Sequence, residues 1–160
     1  MLTFNIGDKV VYPMHGAGVI ESIEEKEVLG EKHRYYIMKL PIGEMKVMIP
    51  MDNVGDIGLR QIIDDEGVQK VYHILRGEVS KMSQNWNRRY RANMEKIKSG
   101  DIYEVAEVVR NLAIRDKEKG LSTGERKMLD NARQILISEL VLAQDATEEQ
   151  VETNLNELLG

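Results

Sequence analysis

The chain has 160 residues and no cysteine. That excludes disulfide staples, thiolate nucleophiles and cysteine-ligated zinc. Its three histidines, His15, His33 and His73, are too far apart to share a helix face at i+3 or i+4, so no histidine-based zinc face is expected. Aromatic residues are scarce, with one tryptophan and one phenylalanine. No apolar run approaches the ~20 residues that span a bilayer. The opening Met1-Leu2-Thr3-Phe4-Asn5-Ile6-Gly7-Asp8 carries neither the basic segment nor the apolar stretch of a signal peptide. These absences point to a cytoplasmic, non-membrane protein.

Charge is what the chain has in quantity, at 31% of residues, with a net of −5. Taken whole, that argues against nucleic acid, but the charge is unevenly spread. Between residues 70 and 100 stand Lys70, Arg76, Lys81, Arg88, Arg89, Arg91, Lys96 and Lys98 against only Glu78 and Glu95. Every other stretch of the chain is net acidic. A basic block in an acidic chain is either a phosphate-contacting surface or a solvated helix face, and charge alone weighs the two equally.

The first third reads as β-structure. Lys9-Val10-Val11-Tyr12 forms a short strand stopped by Pro13, and Gly16-Ala17-Gly18 signals a turn or bulge. Strands follow over residues 19–25, 34–40 and 45–50. In the last, Met45, Val47 and Ile49 alternate with outward Lys46 and Met48. Short strands at this spacing suggest a small antiparallel barrel or sandwich. After Gly58 the pattern turns helical. The spacing predicts helices over 65–75 and 83–98, then one from Asp101 to near Gly120. The last two open at the capping boxes Ser122-Thr123-Gly124-Glu125 and Thr147-Glu148-Glu149-Gln150. The reading is an α+β chain of two domains, residues 1–58 and 59–160, a small antiparallel β domain followed by an all-α bundle.

Catalysis finds little support. His15 lies in a glycine turn with no local base to activate it. The Gly16-Ala17-Gly18 fragment runs into a strand and lacks the helix N-terminus that anion binding requires. Asp64-Asp65-Glu66 fits helix-start acids better than a metal cluster. Neither an enzyme nor a cofactor is expected.

Asn85-Trp86-Asn87-Arg88-Arg89-Tyr90-Arg91 is different, for it sets the single tryptophan inside the basic block. At 100° per residue, Trp86, Tyr90, Met94 and Ile97 fall within a stripe of about 80°, with the arginines outside it. One reading packs Trp86 into the core as the first member of that stripe. The other projects it from the first helical turn. There its ring would wedge against a base while flanking guanidiniums hold phosphates.

With these residues in view the chain resembles the CarD-type transcription regulators, the short CdnL-like members especially. The resemblance is carried by Gly7-Asp8-Lys9-Val10-Val11-Tyr12-Pro13 with His15-Gly16, by Asn85-Trp86-Asn87-Arg88-Arg89-Tyr90, and by Ser99-Gly100-Asp101 with Val105-Ala106-Glu107-Val108-Val109-Arg110. Gly120-Leu121-Ser122 and Ala132-Arg133-Gln134-Ile135-Leu136 complete it. It implies a Tudor-like N-terminal domain that docks on the RNA polymerase β subunit, similar to the polymerase-interaction domain of transcription-repair coupling factors. It also implies a helical domain on promoter DNA at the upstream edge of the minus-ten element. There Trp86 would wedge into the minor groove, with Arg88, Arg89, Arg91 and Arg126 as basic contacts. The family's docking positions fall on Lys26 and Met48. Met48 departs from a basic residue seen in some members, and Lys46 stands beside it to substitute. The competing readings are an adaptor between proteins with no nucleic acid, which needs a buried Trp86 and basic residues scattered in space, and a hydrolase or nuclease, which needs acids or histidines clustered in a pocket.

Overall fold

The structure is a computed structural model that describes residues 3–159. Met1 and Leu2 of the opening segment, and Gly160, lie outside the described residues. Five strands form one antiparallel sheet: β1 (Lys9–Tyr12), β2 (Gly16–Val28), β3 (Glu31–Lys39), β4 (Lys46–Pro50) and β5 (Arg60–Gln61). Their order is β4-β3-β2-β1-β5. The expected boundary at Gly58 falls just before β5, which pairs back on β1 at Val10 and Val11, so the sheet draws on both sides of it. A 3-10 turn (Met51–Asn53) and α1 (Val54–Ile57) bridge β4 to β5. Period-two alternation sends Val10, Ile20, Tyr36, Met38 and Ile49 to one face, where Phe4, Val54 and Leu59 close a small core.

Two local expectations are corrected. Gly16-Ala17-Gly18 is not the turn. The turn is at Pro13–His15, and the glycines open β2. Gly18 is held to glycine by close approach, and Gly16 both by close approach and by its φ of +107°. A Cβ on Gly18 would stand 2.6 Å from the Lys39 carbonyl oxygen, and one on Gly16 would stand 2.8 Å from Ser138 Oγ. The bulge falls later, between Ile20 and Ser22.

The helical half comprises α2 (Asp65–Arg76), α3 (Trp86–Lys98), α4 (Ile102–Lys119), α5 (Thr123–Gln144) and α6 (Glu148–Leu159). Each of the first four opens on a side-chain cap: Asp64 accepts from Gly67 N–H, Asn85 from Arg88 N–H, Asp101 from Tyr103 N–H and Ser122 from Glu125 N–H. The box before α6 is reciprocal, with Gln150 N–H donating to Thr147 Oγ1 and Thr147 N–H to Gln150 Oε1. Val71, Leu75, Ile97, Ile102, Val105, Leu112, Leu136, Leu140 and Leu155 build a second, larger core. Burying each such side chain contributes ~1.5–3 kcal/mol of transfer free energy. Among the described residues no helix is long and apolar enough to cross a membrane.

The two cores meet along α5. Ala17 N–H donates to Ser138 Oγ at 2.8 Å, and Ser138 Oγ donates to the Ile135 carbonyl. Arg60 of β5 grips the buried Glu139 with two hydrogen bonds of 2.8 Å, and donates from Nε to the Gly100 carbonyl. Ile63 N–H fills a further site on Glu139 Oε2. A carboxylate with no solvent exposure thus has charge, geometry and extra donors in its favour, the conditions under which a buried ion pair holds.

Candidate nucleic-acid interface

Helix α3 begins at Trp86, three residues later than the periodicity suggested. Ser83 and Gln84 stay outside it, and their carbonyls accept from the Arg89 guanidinium at 3.1 and 3.3 Å. Asn85 then caps the helix, and Trp86 is its first residue. The apolar stripe runs outward from the core: Ile97 is buried, Met94 and Tyr90 are half-buried, and Trp86 is 41% exposed. The reading that sinks Trp86 into the core does not hold, and neither does the buried tryptophan that the adaptor reading needs.

The indole is nevertheless fixed. It stacks on Tyr90 with ring centroids 5.0 Å apart and an interplanar angle of 19°. Its other support is Gly124 in the first turn of α5, where a Cβ would approach Trp86 Cζ2 to 3.4 Å. Trp86 Nε1 donates to Ser122 Oγ at 2.9 Å. Ser122 Oγ also accepts from Glu125 N–H and donates to Glu125 Oε1, both at 3.2 Å. A hydroxyl offers one donor and two acceptor sites, and all three are used.

Glu125 is 2% exposed, and its carboxylate is clasped by Arg89 through Nε at 2.8 Å and Nη2 at 3.2 Å. The hydrogen bond from Arg89 is the largest influence holding the Glu125 carboxyl below the usual carboxylate range. Burial works the other way, and Arg115 nearby adds to the lowering.

Arg89 itself is 4% exposed. The expectation that Arg89 touches DNA is therefore corrected: its guanidinium is spent on Glu125, Ser83 and Gln84. The cause is the Glu125 carboxylate, which the packing of α5 on α3 buries against Arg89. Arg88 and Arg91 are exposed on the first turns of α3, about 160° and 140° around the helix from Trp86. Arg126, on the first turns of α5, is exposed and paired with Asp116 at 2.9 Å. Arg88, Arg91 and Arg126 thus share with Trp86 the end of the bundle where α3 and α5 begin. Other members of the basic block are engaged elsewhere: Lys96 meets Glu107 at 2.8 Å, and Lys70 sits 4.1 Å above the Tyr103 ring. The bond from Lys96 is the largest influence lowering the Glu107 carboxyl.

Lys26, Lys46 and Met48 lie on the sheet. Register sets Lys26 opposite His33, Lys46 opposite Lys39 and Met48 opposite Ile37. By alternation all three face away from the core of Tyr36 and Ile49, and all three are exposed. Lys46 pairs with Glu21 at 2.9 Å, and that bond is the main cause of its raised pKa. His15 stacks on Tyr12 at 4.1 Å, and its Nδ1 lies 3.2 Å from the Pro13 carbonyl. Among the described residues no three carboxylates or histidines gather as a metal site.

Sequence reasoning found Trp86 and its exposed neighbours but missed the Arg89–Glu125 clasp and the Arg60–Glu139 latch. The capping box at Ser122 was the available signal for the first. The second had none, since its partners stand far apart in the chain.

The structure is thus a sheet latched to a capped helical bundle, with one fixed, exposed indole at the start of α3. Two family models match: the CarD-like/TRCF RID domain over residues 4–63 and the CarD C-terminal domain over residues 70–156. The chain belongs to the CarD family. A curated protein of Bacillus subtilis (strain 168), described as "Putative transcription factor YdeB", is 47% identical over 150 residues, covering 94% of this chain and 98% of its own. Two solved structures also match. The solution NMR structure of the 72-residue N-terminal domain of Myxococcus xanthus CarD is 36% identical over 38% of this chain and 81% of its own, with a TM-score of 0.33. CdnLNt from Myxococcus xanthus is 40% identical over 41% of this chain and 92% of its own, with a TM-score of 0.35.

Proposed function

We propose that this protein regulates transcription by docking on the RNA polymerase β subunit through the outward sheet face at Lys26, Lys46 and Met48, while Trp86 wedges at the upstream edge of the minus-ten element where the duplex opens. The observation that carries the reading is the exposure of Trp86 while its ring is stacked on Tyr90, abutted by Gly124 and tied to Ser122. A pre-positioned ring loses little entropy when it meets a base. Arg88, Arg91 and Arg126 hold the flanking phosphates, and Arg89 positions the turn that carries the ring. The unit of residues 1–58, its sheet completed by β5, acts as the enzyme-binding part and the helical remainder of 59–160 as the DNA-binding part, and the Arg60–Glu139 latch ties β5 to α5.

The mechanism is thermodynamic. A factor that contacts opened DNA better than closed duplex shifts the equilibrium by its differential affinity. Stacking on an unpaired base is worth ~1–3 kcal/mol, and ~1.4 kcal/mol is tenfold in the open population. Docking on the enzyme raises the local concentration, which lets a net acidic protein act on DNA it binds weakly alone. The test is the lifetime of the open complex formed with the cognate polymerase. Trp86→Ala shortens it while leaving polymerase binding intact. An unchanged lifetime refutes the wedge.

A further inference from the structure

A second cationic feature lies on the segment that leads into α3 and is not explained by the wedge. The segment between α2 and α3 and the end of α4 enclose a recess of about 260 Å³, lined by the apolar Val79 and Met82 and by Lys81, Arg115, Glu118 and Lys119, with Ser83 and Gln84 at the side toward α3. Three of these side chains are cationic and one is anionic. Arg115 Nε is shut off from solvent and, among the described residues, has no hydrogen-bond acceptor.

The nearest buried carboxylate cannot serve it. Both oxygens of Glu125 are taken by Arg89 and one also by Ser122, although Arg115 lies close enough to act on Glu125 through its charge. Two arginines therefore address one saturated carboxylate, and the Arg115 side carries uncompensated positive charge. Closed to solvent, Nε is closed to a ligand as well, so a phosphate is met by the outer nitrogens of the guanidinium, whose fork matches its oxygens. Ser83 and Gln84 put the recess within three residues of Trp86, on the side from which the chain enters α3.

We propose that this recess holds one backbone phosphate of the DNA strand whose base meets Trp86, with Arg115 as the central contact and Lys81 and Lys119 at the rim. The proposal rests on the DNA reading of Trp86 and extends it to a face that the basic segment of α3 does not include.

The test is binding of the full chain to a forked duplex oligonucleotide at several low salt concentrations, for wild type, Arg115→Gln, Arg115→Lys and Trp86→Ala. Each phosphate contact contributes about 0.7–0.9 to the slope of log K against log salt. Arg115→Gln lowers that slope by about one contact, Arg115→Lys keeps most of it, and Trp86→Ala weakens binding with the slope unchanged. A thermal unfolding midpoint for each variant confirms that the fold is intact. An unaltered slope in a folded Arg115→Gln variant overturns the phosphate site. If Trp86→Ala still weakens binding in that case, the wedge stands and only this inference fails. If no variant changes binding, both fail. A second arm titrates inorganic phosphate without DNA. A thermal shift lost in Arg115→Gln, together with an unchanged salt slope, assigns the recess to a free anion and overturns the strand contact.

Discussion

Trp86 Nε1 donates to Ser122 Oγ at 2.9 Å, and that same hydroxyl caps α5. The cap of one helix thus orients the ring at the start of another. Ser122→Ala removes both at once. Loss of an N-cap costs ~1 kcal/mol, so the protein stays folded with a modestly lower unfolding midpoint. The ring loses its anchor, and open-complex lifetime falls toward that of Trp86→Ala. Tryptophan fluorescence anisotropy reports the freed ring directly, since this is the chain's only tryptophan. An unchanged anisotropy in Ser122→Ala counts against the anchoring role.

Arg89 behaves as a structural residue and not as a surface cation. Breaking a buried pair by removing one partner costs ~3–5 kcal/mol, so Arg89→Ala is strongly destabilised in urea unfolding. Arg88→Ala and Arg91→Ala stay near wild type, as exposed positions do. Arg89→Lys does not rescue, because an ammonium cannot reproduce the forked contact to Glu125 together with the reach to Ser83 and Gln84. Near-wild-type stability of Arg89→Ala contradicts the burial argument.

Much of this was legible locally. The boxes at Ser122 and Thr147, the stripe from Trp86 to Ile97, and the alternation at Val47 and Ile49 are short-range patterns, and each matches an observed element. What sequence hid was long-range. On the α3 wheel Arg89 lies about 60° from Trp86, just off the apolar stripe. Only the arrival of α5 makes that flank interior. Gly16 and Gly18 carry a strong turn signal; Gly16 does adopt a φ of +107°, but both are also constrained by the proximity of Ser138 and Lys39, residues distant in sequence. Arg60 and Glu139 are likewise anonymous until β5 and α5 meet.

The clasp has a pH signature. Glu125 is held below its ordinary value in the folded chain, with the Arg89 hydrogen bond the first cause. A carboxyl depressed on folding contributes stability that is complete above its unfolded value, about 4.3, and is lost as pH falls through the folded value. Acid therefore loosens the start of α5 and the ring resting on it. Tryptophan emission shifts on acidification below that value, and Glu125→Gln, which has no carboxyl to protonate there, shows a smaller change over the same range. Equal acid responses in the two proteins would remove Glu125 as the cause.

The latch between the halves makes the last prediction. Arg60 is bidentate on Glu139, and Ile63 N–H adds a further bond, so the sheet is tied to α5 by one buried carboxylate. Glu139→Ala strips Arg60 of its partner at a cost of ~3–5 kcal/mol. Replacing both residues by apolar ones of similar size (Arg60→Met with Glu139→Leu) removes the uncompensated charge, and stability recovers toward wild type. Function separates from stability in that double variant. If the latch fixes the distance between the polymerase-facing sheet and Trp86, the double variant binds polymerase normally yet stabilises the open complex less, because a freer joint lowers the effective concentration of the ring at the DNA. Wild-type open-complex lifetime in a stable double variant would show that the two units act without a fixed geometry between them.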